Sequence, residues 1–367
     1  MSIDKAITIA AVGDISLGDH PVCAGHGMRK AFSKLGDRLF AEVKGVWADS
    51  DIVMGNLETV ASNIGLKRSY LPSYEMRGDP SALGVLKRGG FNLLSVANNH
   101  SMQHGVAAFS DTVSSMVAHN LSVIGVDDPS TGASVPFVYK AYDKEHVFLA
   151  YSLRPEEWSD GPVPYSYRCE EESILAEIRG IREEYDGFIV LSLHWGLEYL
   201  DYPSPDQLSL GRLLIDAGVD VIVGHHPHVL QPYEYYNNGL IIYSLGNFVF
   251  DLWHPETKVT AIANIVLREG KKPEVSFVPV FIGEKFIPVL ADQNHSDIVR
   301  DLLSFDKGKM DYVNSLSSDD YQNNYRHRIS EVKSRKYKYF IKNIYRYPVL
   351  IILQSFGRTI FRRVTGN

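Results

Sequence analysis

The sequence predicts a layered α/β fold, and three observations carry that reading. Short apolar, β-rich runs recur and each ends in a turn signal, helical patterns fall between several of them, and later runs alternate more closely with little helix between. The runs are residues 7–12 before Gly13, 52–54 before Gly55, 93–96 before Ala97, 188–193 before His194, 219–223 before Gly224 and 240–243 before Ser244. Apolar runs of this kind read as buried strands. Helical patterns occupy 82–88, 106–119, 171–184 and 207–217. Residues 260–267 and 274–280 alternate as antiparallel strands do, so a mixed sheet or a two-sheet sandwich is expected rather than a purely parallel sheet.

The chain has 367 residues. It accommodates one large domain of roughly 250 to 300 residues with a remainder. The expected division is a main domain over 1–285 and an extension over 286–367. A formal charge of −7 removes the bulk electrostatic case for nucleic-acid binding, because no excess of cations exists to neutralise phosphates. The two cysteines, Cys23 and Cys169, stand far apart, so neither a disulfide framework nor a zinc–thiolate site is expected. Thirteen histidines against two cysteines point any metal towards nitrogen and oxygen ligands.

Residues 1–5 lack a basic leader and the apolar stretch 6–12 is too short for a signal peptide, which gives the expectation of a cytoplasmic protein. No stretch reaches the roughly 18 to 20 apolar residues of a spanning helix. The tail over 333–363 carries nine Lys and Arg and no acid, interleaved with aromatic and apolar residues such as Tyr337, Ile341 and Tyr345. Such a segment suits peripheral contact with anionic lipid or docking on a partner; the alternative is a helix packed on its own domain with the lysines in solvent.

Chemistry concentrates at the C-terminal ends of the runs. Asp14, Asn56 with Glu58, Asn98 to His100, His194, and His225, His226 and His228 all follow directly on strands. In an open α/β sheet these ends converge on the ligand crevice, so groups distant in sequence are expected to meet there. Taken singly, each has a bland reading: a turn aspartate for Asp14, a helix-start glutamate for Glu58, a satisfied buried histidine for His194, a solvent turn for His226-Pro227-His228. Taken together, carboxylates, an amide and imidazoles predict one or two divalent ions, Mn, Fe or Zn, and metal-assisted hydrolysis. In Asn98-Asn99-His100 one amide suits a metal, and His100 is left to protonate a leaving group or hold developing charge.

These stretches resemble the poly-γ-glutamate capsule synthesis (CapA-type) family within the calcineurin-like metallophosphoesterase superfamily. The resemblance rests on Gly13-Asp14-Ile15-Ser16-Leu17-Gly18, Gly55-Asn56-Leu57-Glu58-Thr59, Ala97-Asn98-Asn99-His100, the run from His194 to Tyr199, Gly224-His225-His226-Pro227-His228-Val229, and the run from Tyr243 to Phe248. It implies a four-layer α/β/β/α sandwich with a dinuclear site at strand ends. It also implies that Asp14 ligates the first metal, Glu58 bridges, Asn99 and His194 ligate the second, and His226 and His228 are divided between them. His100 takes the acid or transition-state role. Arg77, Asn98, His225 and Asn247 are assigned to substrate contact, Arg77 through its planar fork. The process implied is capsule or envelope polymer synthesis, with an anionic polymer or phosphorylated substrate as partner. The activity is a phosphoesterase-like hydrolysis, or, alternatively, a non-hydrolytic accessory role in which the pocket binds the polymer during assembly or export.

The chain departs from the superfamily pattern at three points. Ile15 and Ser16 stand where Asp-x-His is usual, so one ligand of the first metal is missing, and Asp19 or His20 are the candidates to replace it. Glu58 replaces a bridging aspartate. His104 stands where the family tends to have aspartate.

Overall fold

The computed structural model describes residues 6–67 and 70–349. In chain order the first strands are β1 (Ala6–Ile15), β2 (Ile52–Leu57), β3 (Val60–Ala61), β4 (Arg77–Gly78), β5 (Leu93–Ser95) and β6 (Ser122–Ile124). There follow β7 (Phe137–Ala141), β8 (Lys144–Ser152), β9 (Ile189–His194), β10 (Val221–His225), β11 (Leu230–Tyr236) and β12 (Gly239–Leu245). The last four are β13 (Asn247–Val249), β14 (Val259–Arg268), β15 (Glu274–Ile282) and β16 (Pro288–Leu290). The α-helices are α1 (Met28–Leu35), α2 (Ser81–Gly89), α3 (Gly105–Ala118), α4 (Glu171–Glu184), α5 (Pro205–Ala217), α6 (Gln293–Leu303), α7 (Lys307–Ser315) and α8 (Ser318–Lys342).

Two sheets form. One has the order β16-β15-β14-β1-β2-β5-β6, with β13 also pairing β1; the other runs β11-β12-β10-β9-β8-β7. In the first sheet β1, β2, β5 and β6 run parallel and β14, β15 and β16 add antiparallel on the other side of β1; in the second the central strands are parallel and β11 and β7 antiparallel, so both are mixed, as expected from the sequence. The period of two sorts side chains between layers. Phe148, Ala150, Val221, Val223, Leu240 and Ile242 join a core shared with Ile9, Val53 and Ile262 of the other sheet. Their neighbours Leu149, Tyr151, Ile222, Ile241 and Tyr243 face the opposite way, onto Ile174 and Ile178 of α4 and Leu208 and Leu214 of α5. On the far side of the first sheet, Phe32 of α1, Leu83 and Leu86 of α2 and Phe109 of α3 close the core. The result is the α/β/β/α sandwich.

Beyond residue 285 the chain stays with this body. β16 completes an edge of the first sheet, and Val299 and Leu303 of α6 pack on Leu230, Val259 and Ala261. The tail expected over 333–363 is described as far as Val349, largely as α8; Arg358, Phe361, Arg362 and Arg363 lie outside the described residues. Among the described residues, no helix is long and apolar enough to cross a membrane.

Candidate metal centre

The backbone brings the strand ends together by close approach. Asp14 at the end of β1 lies in register with Asn56 of β2 and Asn247 of β13, and its N–H donates to the Gly246 carbonyl at 2.9 Å. A Cβ on Gly13 would stand 2.0 Å from that same oxygen, so only glycine fits. Glu58 follows β2 with its N–H on the Ile15 carbonyl at 2.9 Å. In the second sheet His194 and His225, the last residues of β9 and β10, are paired in register. The chain then enters the left-handed region at His226 (φ 95°) and His228 (φ 59°). Each such non-glycine conformation costs of order 1–3 kcal/mol. Hydrogen bonds hold the turn there: His226 N–H to Asp14 Oδ2 at 3.2 Å, Tyr199 N–H to the Pro227 carbonyl at 2.8 Å, and Asn247 Nδ2 to the His228 carbonyl at 3.4 Å.

Six predicted ligands converge. Glu58 Oε1 lies 3.6 Å from His194 Nε2 and 3.7 Å from His228 Nε2, and Asp14 Oδ2 lies 3.4 Å from His228 Nδ1. The Asn99 Oδ1 atom is 2.9 Å from His194 Nε2, and the His194 and His226 rings stand 4.7 Å apart. Asp14, Glu58 and His194 form one set of donor atoms mutually within 4.8 Å, and Glu58, His226 and His228 form a second. Glu58 belongs to both, the position of a bridge. Asp14 shares the first set with His194, both histidines of the His-Pro-His turn belong to the second, and His228 also stands beside Asp14 of the first.

The donors fit a cation. Glu58 Oε1 and Oε2, and both ring nitrogens of His226, are buried without a hydrogen-bond partner. Buried carboxylate and imidazole groups left unpaired are costly unless an ion satisfies them. Burial pushes the Glu58 carboxyl well above its ordinary range. Burial also pushes His194 and His226 well below theirs, which keeps their lone pairs free. For Asp14, burial works upward, but hydrogen bonds and charge from His225 and His228 hold it well below the usual carboxylate range. Burial opposes a proton on His228, yet Glu58 and Asp14 raise that ring to about 10. Negative charge is thus concentrated enough to hold a proton that an ion would displace.

The remaining expectations separate. His100 reaches the cluster, with Nε2 3.9 Å from Glu58 Oε1 and Nδ1 2.8 Å from Gln103 Oε1. Its side chain is 20% exposed, whereas those of Glu58 and His194 are at most 1% exposed, so His100 marks the open side. Arg77 does not reach the cluster: its guanidinium donates to the Ser62 and Ile64 carbonyls at 3.2 and 2.8 Å and organises that loop. Asn98 is spent within the protein, donating to Asn56 Oδ1 and the Leu57 carbonyl and accepting the His100 N–H. Asn247 lies against His228, with Oδ1 2.9 Å from Nδ1, and orients that ligand. His225 is buried with Nδ1 3.2 Å from Asp14 Oδ1. Of these four, Asn98 and Asn247 are hydrogen-bonded within the protein, whereas Arg77 Nε and His225 Nε2 are buried without a hydrogen-bond partner.

Neither candidate replaces the missing first-motif ligand. Asp19 accepts the N–H groups of Gly25 and Arg29, turned to the start of α1. His20 Nδ1 accepts the Val22 N–H, its ring stacked aslant on Trp253. His104 bonds the Glu75 carbonyl at 2.7 Å.

Three positioning residues complete the site: Asn56, marked in the sequence but given no role, and Trp158 and Arg328, which the sequence did not mark. Asn56 Nδ2 donates to Asp14 Oδ1 at 2.8 Å and lies 3.2 Å from His194 Nδ1; its place beside Glu58 in the Gly55 motif was the available signal. Trp158 Nε1 donates to the Asn99 carbonyl at 2.8 Å from a loop with no pattern to read. Arg328 of α8 donates to the Tyr199 carbonyl at 3.2 Å, and Tyr199 in turn holds the Pro227 carbonyl. A helix from the C-terminal extension therefore braces the ligand turn.

Residues 8–252 match the family model described as bacterial capsule synthesis protein PGA_cap. The chain is 30% identical over 296 residues to the capsule biosynthesis protein CapA of Bacillus anthracis, covering 77% of this chain and 69% of that one. It is also 30% identical over 309 residues to the PGA biosynthesis protein CapA of Bacillus subtilis (strain 168), covering 82% and 78%. A solved phosphatase structure from Mycoplasma pneumoniae aligns with a TM-score of 0.48 at 12% identity, over 80% of this chain and 98% of that one. With two thirds of its length matched to the family and two relatives covered over most of theirs, this chain belongs to the bacterial capsule synthesis protein family.

Proposed function

We propose that the protein is a metal-dependent hydrolase of phosphoesterase type that acts in capsule or cell-envelope polymer synthesis. The observation that carries this is the unpaired, fully buried Glu58 carboxyl standing between two sets of imidazole and carboxylate donors. Divalent ions held by Asp14, Glu58, Asn99, His194, His226 and His228 would supply Lewis-acid stabilisation of developing negative charge and lower the pKa of an attacking water.

The chain's own residues supply orientation and proton handling. Asn247 Oδ1 accepts from His228 Nδ1, as outer partners of ligands do, while Asn56 Nδ2 holds Asp14 Oδ1 and stands against His194 Nδ1. Gln103 accepts from His100 Nδ1, which sets the tautomer and aims Nε2 at the cluster. Burial lowers His100 to about 4, so the ring enters the reaction neutral with Nε2 an acceptor, placed to take a proton from the attacking water and pass it to the leaving-group oxygen.

A second reading, polymer binding without hydrolysis, is favoured by the first motif. Ser16 Oγ donates to the Gly18 carbonyl at 2.7 Å and offers no ligand where a histidine is usual. One assay separates the two. Metal-loaded protein is tested on a generic phosphodiester and for affinity to polyglutamate, beside His226→Ala. Hydrolysis that falls at least about 100-fold in the variant supports the enzyme. Inert wild-type protein that still retains the polymer supports the accessory role.

A further inference from the structure

Where α8 ends, a groove of about 720 Å³ is bounded by α1 and the turn after it on one side and by Lys285, Tyr345 and Arg346 on the other. Five cations line it: Lys30, Lys34, Arg38, Lys285 and Arg346. Lys30 and Lys34 are one helical turn apart on α1 and share a face. Among the described residues none of the five has a carboxylate partner. Arg38 donates only to the carbonyls of Leu35 and Lys34, and Arg346 to Asn343 Oδ1. Nearby charges are paired elsewhere, Arg29 with Asp79 and Asp37 with Arg88.

The segment that closes this groove exposes apolar side chains, Tyr345 in the wall itself and Ile341 and Val349 four residues to either side of it. Tyr345 is 82% exposed, Val349 72% and Ile341 70%. This segment is not simply undocked, because Tyr347 bonds the Val22 carbonyl and Tyr339 lies 3.4 Å from His26 Nε2. The chain sorts its residues, two tyrosines inward and three apolar side chains into water. Cations alone would suit any polyanion, but apolar groups held beside them gain free energy only where an apolar phase lies next to the negative charge.

We propose that this end of the molecule is a docking surface for an anionic lipid bilayer, with Ile341, Tyr345 and Val349 entering the headgroup region and Lys30, Lys34, Lys285 and Arg346 over lipid phosphates. The surface joins two parts of the chain some three hundred residues apart, α1 and the end of the extension. It is independent of the metal centre.

The test is co-sedimentation of the full chain with phosphatidylcholine vesicles, with and without phosphatidylglycerol, at low and high salt. Binding is expected only with the anionic lipid. Each basic side chain near such a surface contributes roughly fivefold to partitioning, so K30A/K34A binds about 25-fold more weakly. I341S/Y345S loses the binding that survives at high salt. All four positions are exposed, and an unchanged circular dichroism spectrum accompanies each variant. Absence of binding, equal binding to neutral vesicles, or wild-type binding by K30A/K34A overturns the proposal. So does displacement by soluble polyglutamate with I341S/Y345S behaving as wild type, which would make the groove a polyanion site.

Discussion

The strand ends and the C-terminal helices of this protein are built on opposite terms. At the strand ends, Asp14, Asn56, Glu58 and Asn247 have no exposure, and every backbone turn is pinned by a carbonyl or amide. In α8 only Tyr321 is buried along 25 residues, and the helix is held by polar contacts such as Arg328 and Arg335 to Glu256. The first region holds each set of ligand atoms within 4.8 Å of one another in a fully buried frame; the second reinforces from outside and spends its surface on charge. Yet they meet through Arg328, Tyr199 and Pro227, so the polar region is expected to tune the rigid one.

The largest effect comes from breaking the rigid side. A Cβ on Gly224 would stand 1.9 Å from the Tyr243 carbonyl oxygen and 2.7 Å from Trp195 Nε1. Gly224→Ala should lower stability by about 3 kcal/mol or more, measured by urea unfolding. Asn247→Ala is milder: it removes the partner of His228 Nδ1 while the fold remains, and metal affinity by calorimetry should fall roughly 10- to 100-fold.

At the joint, Arg328→Ala should weaken metal binding about tenfold. It should reduce stability by only about 1–2 kcal/mol. The visible spectrum of the Co²⁺-substituted variant should shift, and Arg328→Lys should restore part of it. An unchanged spectrum would separate the two regions.

An effect confined to acid conditions, and absent at neutral pH, belongs to His26, whose ring stands edge-on against Tyr347. Burial, then the charge of Arg346, lowers this ring from 6.5 to about 4. The unfolded chain therefore takes up the proton first, so this contribution to stability is intact above pH 6.5 and drains away as the pH falls towards 4. His26→Phe should flatten the slope of stability against pH in that window by at most about 1.4 kcal/mol per pH unit.

The sequence was most legible where local chemistry and topology agree. Apolar runs ending at glycine, alanine, histidine or serine marked the strands, and the helical pattern over 171–184 coincides with α4. The convergence of Asp14, Glu58, Asn99, His194, His226 and His228 followed from the rule that parallel strands share a functional end. The β7–β8 hairpin was missed because its turn places Tyr142 and Asp143 at φ 55° and 65°, without the Asn-Gly or Asp-Gly that advertises such a turn. The internal bonds of Arg77, Asn98 and Asn247 were not legible for a related reason. A polar side chain that feeds a buried carbonyl and one that awaits substrate look alike until their partners are known.

The most direct test is anomalous diffraction from crystals soaked in Mn²⁺. The account predicts one or two peaks within about 2.0 to 2.3 Å of Glu58 oxygens and of ligand atoms from Asp14, His194, His226 or His228. Crystals that carry manganese elsewhere and none within coordination distance of Glu58 would contradict it.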